Sequence, residues 1–165
     1  MPGPARRRRG FTLIEVLIVS AIIGILVAMA TSNLRSVMNR ARQKRTMADM
    51  RTIALGIDSY QTDVNGFPAS AGYALPSGLS LPTATIGTIV SEISPTYLHS
   101  VPLRDGWNSW FTYGTDSLRT NYVLRSNGAD GLADSSPPLG ETHRFENDII
   151  VVNGSFIQFP EGLQK

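Results

Sequence analysis

Two helical patterns of hydrophobic and polar residues follow each other in the first part of the chain. In residues 11–30 nearly every side chain is apolar, and the exceptions are Thr12, Glu15, Ser20 and Gly24. Further on, apolar residues recur at spacings of three and four, as on one face of a helix. They are Met47, Met50, Ala54, Ile57 and Tyr60. With no proline in residues 11–67, the patterns predict one helix to about residue 62, apolar all round in residues 11–34 and amphipathic in residues 35–62.

The pattern changes after Pro68 to short apolar runs separated by turn-forming residues. Residues 69–85 are rich in Ala, Ser, Gly, Pro and Thr and predict a loop, followed by a short helix over residues 86–93. The predicted strands cover residues 110–113, 121–126, 148–152 and 156–159, and Asn153-Gly154 joins the last two as a hairpin turn. The expected fold is α+β: one long amino-terminal helix carrying a small antiparallel sheet within a head of residues 63–165.

The apolar segment is long enough to cross a membrane. Twenty helical residues span about 30 Å, the thickness of a bilayer core. The cluster Arg6–Arg9 before it predicts a cytoplasmic amino terminus. A plain anchor accounts for this length but leaves Glu15 unexplained. A secretory signal peptide is a second interpretation, because Ala28-Met29-Ala30 is an A-x-A cleavage site, although the segment is long for a signal peptide and contains a carboxylate.

A third interpretation follows from the junction Gly10-Phe11-Thr12-Leu13-Ile14-Glu15 after the arginines. This junction resembles the processing site of type IV pilins and type II secretion pseudopilins. The resemblance implies that a prepilin peptidase cuts between Gly10 and Phe11, removes residues 1–10 as a leader and methylates the new amine of Phe11. It also implies that the Glu15 carboxylate pairs with the Phe11 amine of a neighbouring subunit during assembly. The alternative for Glu15 is a carboxylate that reaches the membrane interface.

The sequence departs from that family at one point of the helix. Members often carry a helix-bending proline slightly more than twenty residues after the cleavage site. Here Thr31-Ser32-Asn33 occupies that place. These polar side chains compete for backbone hydrogen bonds and could still loosen the helix.

The net charge of +2 conceals three zones, two basic and one acidic. The leader carries four arginines and no acid, residues 35–51 carry six basic residues and one acidic residue, and residues 52–165 carry five basic and eleven acidic residues. An acidic head is a poor partner for nucleic acid. The basic neck at residues 35–51 is either a solvated face near lipid headgroups or a surface that lies against the acidic head of another subunit.

Three segments extend the resemblance into the head. They read SPTYLHSVPLRDGWNSWFTY, NYVLRSNGADG and NDIIV. They are similar to the head of the major, G-type pseudopilin of type II secretion, with Asn108 in place of the usual glycine. The similarity does not cover residues 70–90 or the tail from residue 154.

The similarity implies a calcium-binding loop, although no cofactor is required for the fold. Oxygen ligands for a hard cation are available from Ser126, Asn127, Asp130, Asp134, Glu146 and Asp148. The three aspartates are favoured, and the spacing is not that of an EF-hand. The alternative is that Asp130-Gly131 forms only a turn and that Asp134 is solvated.

The remaining candidates for chemistry are weak. His99 and His143 are isolated, and the chain has no cysteine, nucleophile elbow or phosphate-binding glycine loop. The aromatic residues Trp107, Trp110, Phe111 and Tyr113 are expected to pack as core between sheet and helix. We therefore expect a structural filament subunit and not an enzyme.

The resemblance implies a subunit of a type II secretion pseudopilus, a periplasmic filament that helps drive protein export. The chain would be a single-pass inner-membrane protein with a periplasmic head. Its partners would be copies of itself, prepilin peptidase, the inner-membrane assembly platform, minor pseudopilins and, before assembly, membrane lipid. The alternatives are a type IV pilus subunit used in adhesion, motility or DNA uptake, and a periplasmic binding domain released after Ala30.

Overall fold

A computed structural model describes residues 10–70, 82, 84–162 and 164, without the side chains of residues 32 and 33. The chain divides into two compact units, residues 1–37 and residues 38–165. The leader up to residue 9 and most of the predicted loop at residues 69–85 lie outside the described residues.

The predicted long helix is confirmed. Helix α1 covers Leu13–Val64 and ends at Asn65, whose φ of 56° is the left-handed conformation common after a helix carboxyl end. In the first unit its apolar side chains are exposed, and within the described residues α1 is the one helix long and apolar enough to span a membrane. The backbone stays helical through residues 31–33, where the Thr31 hydroxyl donates to the Val27 carbonyl at 2.8 Å.

In the second unit α1 buries one face, as its periodicity predicts. Met50, Ala54 and Ile57 are buried, and Met47 and Tyr60 pack at the edge of the same core. Ile53 joins them because it lies on the same side of the helix as Met50 and Ile57. The sheet packs against this face of α1.

The sheet has five strands, in the spatial order β1-β2-β4-β5-β3. Their bounds are β1 Thr112–Thr115, β2 Tyr122–Ser126, β3 Gly140–Thr142, β4 Ile149–Val152 and β5 Ser155–Pro160. A 3₁₀ turn over Ile86–Ile89 runs into the short helix α2, Val90–Ile93. The predicted hairpin is confirmed: Asn153 and Gly154 have φ values of 47° and 77°, the positive pair that a type I′ turn requires.

The predicted antiparallel pairing is present between β1 and β2, β2 and β4, and β4 and β5. Strand β3 pairs in parallel with β5, so the sheet is mixed. Strand β3 was not predicted from the sequence because it is only three residues long, Gly-Glu-Thr, and shows no alternation of apolar and polar residues. Its pairing depends on the distant β5 strand.

The aromatic prediction is correct for two of the four residues. Phe111 and Tyr113 are fully buried between the sheet and α1. Trp110 is 40% exposed, with the Arg104 guanidinium stacked 4.4 Å from its ring centre. Trp107 is half-buried beside α1 and donates from Nε1 to Asn39 Oδ1 at 3.4 Å. Trp110 forms an isolated β-bridge with Arg104, whose side chain covers the ring outside the core.

Candidate functional site

The amino-terminal segment begins with a helix cap. The Thr12 hydroxyl accepts the backbone N–H of Glu15 at 3.3 Å, and the Thr12 carbonyl accepts the same N–H at 3.2 Å. Threonine followed three residues later by glutamate is the spacing of a capping box. The capping role of Thr12 was not predicted, although its spacing to Glu15 is visible in the sequence. The cap fixes Glu15 in the first turn of α1, where the helix dipole favours a negative charge.

The Glu15 carboxylate has no partner within the described part of the chain. It is exposed, accepts no hydrogen bond and forms no ion pair among those residues. Its neighbours are apolar and open, including Phe11 at 75% and Leu13 at 83% exposure. A carboxylate on such a surface loses its hydration as soon as the surface is covered, unless a cation accompanies it. No residue in the described part of the chain supplies such a cation.

Gly10 is not explained by packing. A Cβ atom at this position would meet nothing within 4 Å. The fold of the described chain therefore places no steric demand for glycine at position 10.

The second candidate site lies in the loop after β2 and at the start of β4. Asp134 and Asp148 face each other across it: the backbone N–H of Asp134 donates to Asp148 Oδ2 at 3.1 Å, and that of Asp148 donates to Asp134 Oδ2 at 3.4 Å. Asp148 is fully buried, and Arg125 Nη1 lies 3.7 Å from its Oδ2. Asp130 is exposed and accepts the N–H of Leu132 at 2.9 Å, which forms an Asx turn.

Burial raises the pKa of Asp148 to about 6, because desolvation disfavours the charged carboxylate. The N–H of Asp134 and the Arg125 guanidinium offset part of this rise, while the carboxylates of Asp134 and Asp130 add to it. The three favoured aspartates thus interact electrostatically. Negative charge is concentrated here around a buried group that is costly to ionise.

The other predicted ligands divide into two groups. The Ser126 hydroxyl donates to Asp105 Oδ2 at 2.7 Å, and Glu146 pairs with Arg144 at 3.3 Å, so both are engaged elsewhere. The side-chain amide of Asn127 donates to the Gly131 carbonyl at 3.2 Å. Its Oδ1 atom and the Oδ1 atom of Asp148 are both buried and accept no hydrogen bond from a described residue. Within the described ranges no three carboxylate or imidazole side chains converge as a metal cluster. The two buried unpaired oxygens, Asn127 Oδ1 and Asp148 Oδ1, are of the chemical kind that a hard cation prefers.

The turn at residues 105–109 connects this loop to α1. Asp105 is 3% exposed; its Oδ1 accepts the N–H groups of Trp107 and Ser109, each at 2.9 Å, and its Oδ2 accepts the Ser126 hydroxyl. The next residue, Gly106, donates its N–H to Thr46 Oγ1 on α1 at 2.9 Å. An aspartate followed by glycine is a turn signal that could have indicated this geometry. Asp105 and Gly106 thus link the start of the loop of residues 127–139, here named the acidic loop, to α1.

Comparison with known proteins identifies the family. Residues 5–31 match the model of the prokaryotic N-terminal methylation motif, and residues 33–139 match that of type II secretion system protein G. The chain is 29% identical over 138 residues to type II secretion system core protein G of Pseudomonas aeruginosa, covering 82% of this chain and 95% of the relative. It is 31% identical over 134 residues to the Pectobacterium carotovorum core protein G, covering 81% and 84%.

A pilus protein is also among the relatives. The major component of the type IV wide pilus of Thermus thermophilus is 32% identical over 124 residues, covering 73% of this chain and 94% of the relative. No solved structure gives a significant match. Because the protein G model spans more than half of the chain, directly after the methylation motif and its apolar helix, the chain belongs to the protein G family of the type II secretion system, the major pseudopilins.

Proposed function

We propose that the chain is made as an inner-membrane precursor, cut between Gly10 and Phe11, and assembled through residues 11–34 into a periplasmic filament that helps drive protein export. The observation that carries this proposal is the Glu15 carboxylate, which is held in the first helical turn on an apolar surface without a partner among the described residues. Its role is structural, and no catalytic step is assigned to the chain.

The physical reason for the carboxylate lies in the solvent of the helix. In lipid, apolar helices gain little hydrophobic free energy by associating, so packing and polar contacts decide which arrangement forms. Cleavage creates a positive amine on Phe11, and a neighbour's Glu15 carboxylate can neutralise it. Removing one partner of such a desolvated pair costs about 3–5 kcal/mol. The pair therefore favours one register between neighbouring helices over all others.

The leader sets the orientation in this proposal. Arg6–Arg9 hold the amino terminus in the cytoplasm and the head is exported. The basic residues after the apolar segment oppose this orientation, but the first flank usually dominates. Prepilin peptidase, the assembly platform and minor pseudopilins are then the partners at the membrane.

The mature amino terminus tests the processing step. We expect intact-mass and fragment spectra of the purified protein to show a chain that begins with N-methylated Phe11. A chain that begins at Thr31 would identify a secreted protein, and an uncut chain with Met1 would identify a simple anchor. Either of these results would overturn the proposal.

A type IV pilus subunit is the second candidate, favoured by the similarity to the Thermus pilus component. The two candidates differ in what depends on the filament. Loss of adhesion, motility or DNA uptake, with normal export, in a strain lacking the protein would favour the pilus.

We further propose that the acidic loop binds a calcium ion. Calcium prefers carboxylate and amide oxygens, and the candidates are Asp130, Asp134, Asp148 and Asn127. The buried unpaired Oδ1 atoms of Asn127 and Asp148 support this set. The ion would supply the positive charge that the buried Asp148 carboxylate needs, beyond the guanidinium at 3.7 Å. Ser126 is left out because its hydroxyl donates to Asp105 Oδ2 and its oxygen also accepts the Gly128 N–H at 3.4 Å.

Calcium should stabilise the protein against heat. At a concentration 100 times its Kd, a ligand that binds only the folded state adds about 2.7 kcal/mol, which raises the melting temperature of a domain of this size by roughly 10 °C. Melting of the full chain in mild detergent, with calcium or with a chelator, measures this. Asp134→Asn should remove the response, whereas Asp116→Asn, outside the loop, should keep it. Equal melting temperatures with calcium and with chelator would contradict the proposal.

A further inference from the structure

The second unit carries a basic cavity where α1 passes the end of β5. This neck cavity, of about 320 Å³, is lined by Arg40, Lys44, Met47, Pro160, Glu161 and Gln164 among others. It has roughly ten times the ~30 Å³ that one water molecule occupies in the liquid, so a whole side chain fits. Arg40 and Lys44 are exposed and form no ion pair with any described residue. Arg45, by contrast, is already paired with Asp49 at 3.4 Å.

An acidic and apolar surface lies at the opposite end of the unit. This tip consists of Asp63 and Val64, at the carboxyl end of α1, with Asp116 and Leu118 from the turn between β1 and β2. Leu118 is 79% exposed and Val64 46%. The backbone N–H of Phe67 donates to the Arg119 carbonyl at 3.0 Å, which holds the turn against the end of the helix.

The tip carries fixed negative charge. Asp116 accepts the Thr120 N–H at 2.7 Å and Asn121 Nδ2 at 2.8 Å. Partial burial by itself would raise the pKa of Asp116, but the hydrogen bonds stabilise the charged carboxylate more strongly, so the pKa is lowered. Asp63 is exposed and makes no ion pair with any residue that the structure describes. The tip therefore presents two carboxylates beside two open apolar side chains.

The two surfaces cannot meet within one chain. Lys44 and Asp63 are about 28 Å apart along α1 at a rise of about 1.5 Å per residue. A contact between two different surfaces of identical copies does not have to close and generates an open helical filament. We propose that the tip of one copy docks in the neck cavity of the next, with Leu118 entering the cavity, Asp63 facing Lys44 and Asp116 facing Arg40.

Charge complementarity selects a second copy as the occupant. An anionic lipid headgroup would also neutralise Arg40 and Lys44, but it would leave the exposed tip unexplained. Exposed ion pairs alone contribute little, so the apolar contact of Leu118 is essential to the docking. Glu161 also lines the cavity and would repel a carboxylate. The carboxylates of the partner must therefore lie beside Arg40 and Lys44. This inference rests on the proposed filament function and adds the contact that orders the heads.

Disulfide cross-linking tests the contact directly, because the chain has no cysteine. Glu161→Cys marks the neck cavity and Ser117→Cys marks the tip without removing any of the four charges. In assembled membranes, copies that each carry one of these changes should form cross-linked dimers, and a chain that carries both should form a ladder of multimers. Replacing the tip marker by Ser135→Cys, in the acidic loop, should abolish the cross-link.

Charge reversal gives an independent measurement. Lys44→Glu and Asp63→Lys should each lower the filament yield several-fold, and the double variant should restore it because every contact regains an opposite pair. A loss with Lys44→Glu alone, no effect of Asp63→Lys and no cross-link would identify a lipid contact and overturn the inference. Wild-type filaments without the cross-link would overturn this contact and leave the filament function standing. A wild-type chain that never forms filaments would overturn both.

Discussion

Replacing Glu15 with alanine is expected to abolish filament assembly and to leave cleavage between Gly10 and Phe11 intact. Within the described chain the carboxylate contacts nothing that stabilises the fold, so its loss should not unfold the precursor. In the filament it would leave the neighbour's Phe11 amine desolvated and unpaired, at a cost of about 3–5 kcal/mol per subunit. Since every subunit pays this cost, the filament yield should fall to background. Sedimented filaments and the mature mass, measured on the same cells, check both parts.

Two further variants test whether the loss of assembly comes from the charge of Glu15, from the size of its side chain, or from the loss of any polar group in this helix. Glu15→Gln keeps the side-chain volume and should fail as completely as alanine, because it cannot neutralise an amine. Ser20→Ala should assemble normally, since the Ser20 hydroxyl is already satisfied by the Leu17 carbonyl at 2.9 Å in its own helix. Normal filaments from Glu15→Ala would refute the pairing. An uncut Glu15→Ala precursor would show that Glu15 is required for cleavage and not for assembly.

Gly106→Ala is expected to destabilise the head by about 3 kcal/mol. A Cβ atom at this position would collide with the backbone carbonyl of Arg42 on α1, which cannot move without distorting the helix. Overpacking of this kind typically costs about 1–3 kcal/mol, and losing the Gly106 hydrogen bond to Thr46 adds about 1 kcal/mol. The melting temperature of the full chain in mild detergent should fall by roughly 10 °C.

Gly87→Ala is the matched control for this change. A Cβ there would lie 3.5 Å from Thr85 Oγ1, an ordinary contact, so the melting temperature should change little. An unchanged melting temperature for Gly106→Ala would contradict the close contact between the turn at residues 105–109 and α1. If the control fell equally, the loss would reflect glycine replacement in general.

Features that depend on neighbouring residues were predictable. The processing junction is a contiguous motif, α1 follows from spacings of three and four residues, and the Asn153-Gly154 turn follows from two residues that accept positive φ. Thr12 belongs to this class as well, because its capping spacing to Glu15 is visible in the sequence. The family followed from the same local signals and is confirmed by the matches over residues 5–139.

Features that depend on distant contacts were not predictable. Strand β3 exists because β5 offers it a parallel edge. Trp110 resembles a core residue by composition, yet it lies outside β1 and stacks on Arg104. Ser126 resembles a cation ligand, but Asp105, from another loop, accepts its hydroxyl. In each case the deciding partner is remote in sequence, and hydrophobic periodicity carries no information about it.

The sequence by itself thus determined where the chain is expected to be cut, which segment can lie in a membrane and which family it belongs to, because each rests on residues close together along the chain. Only the tertiary structure decided that Asp134 and Asp148 face each other, that the turn at Asp105 and Gly106 links the acidic loop to α1, and that a basic cavity and an acidic tip occupy opposite ends of the second unit. The reason is that packing places the charges of distant segments relative to one another, whereas a charge count along the chain reports only their sum.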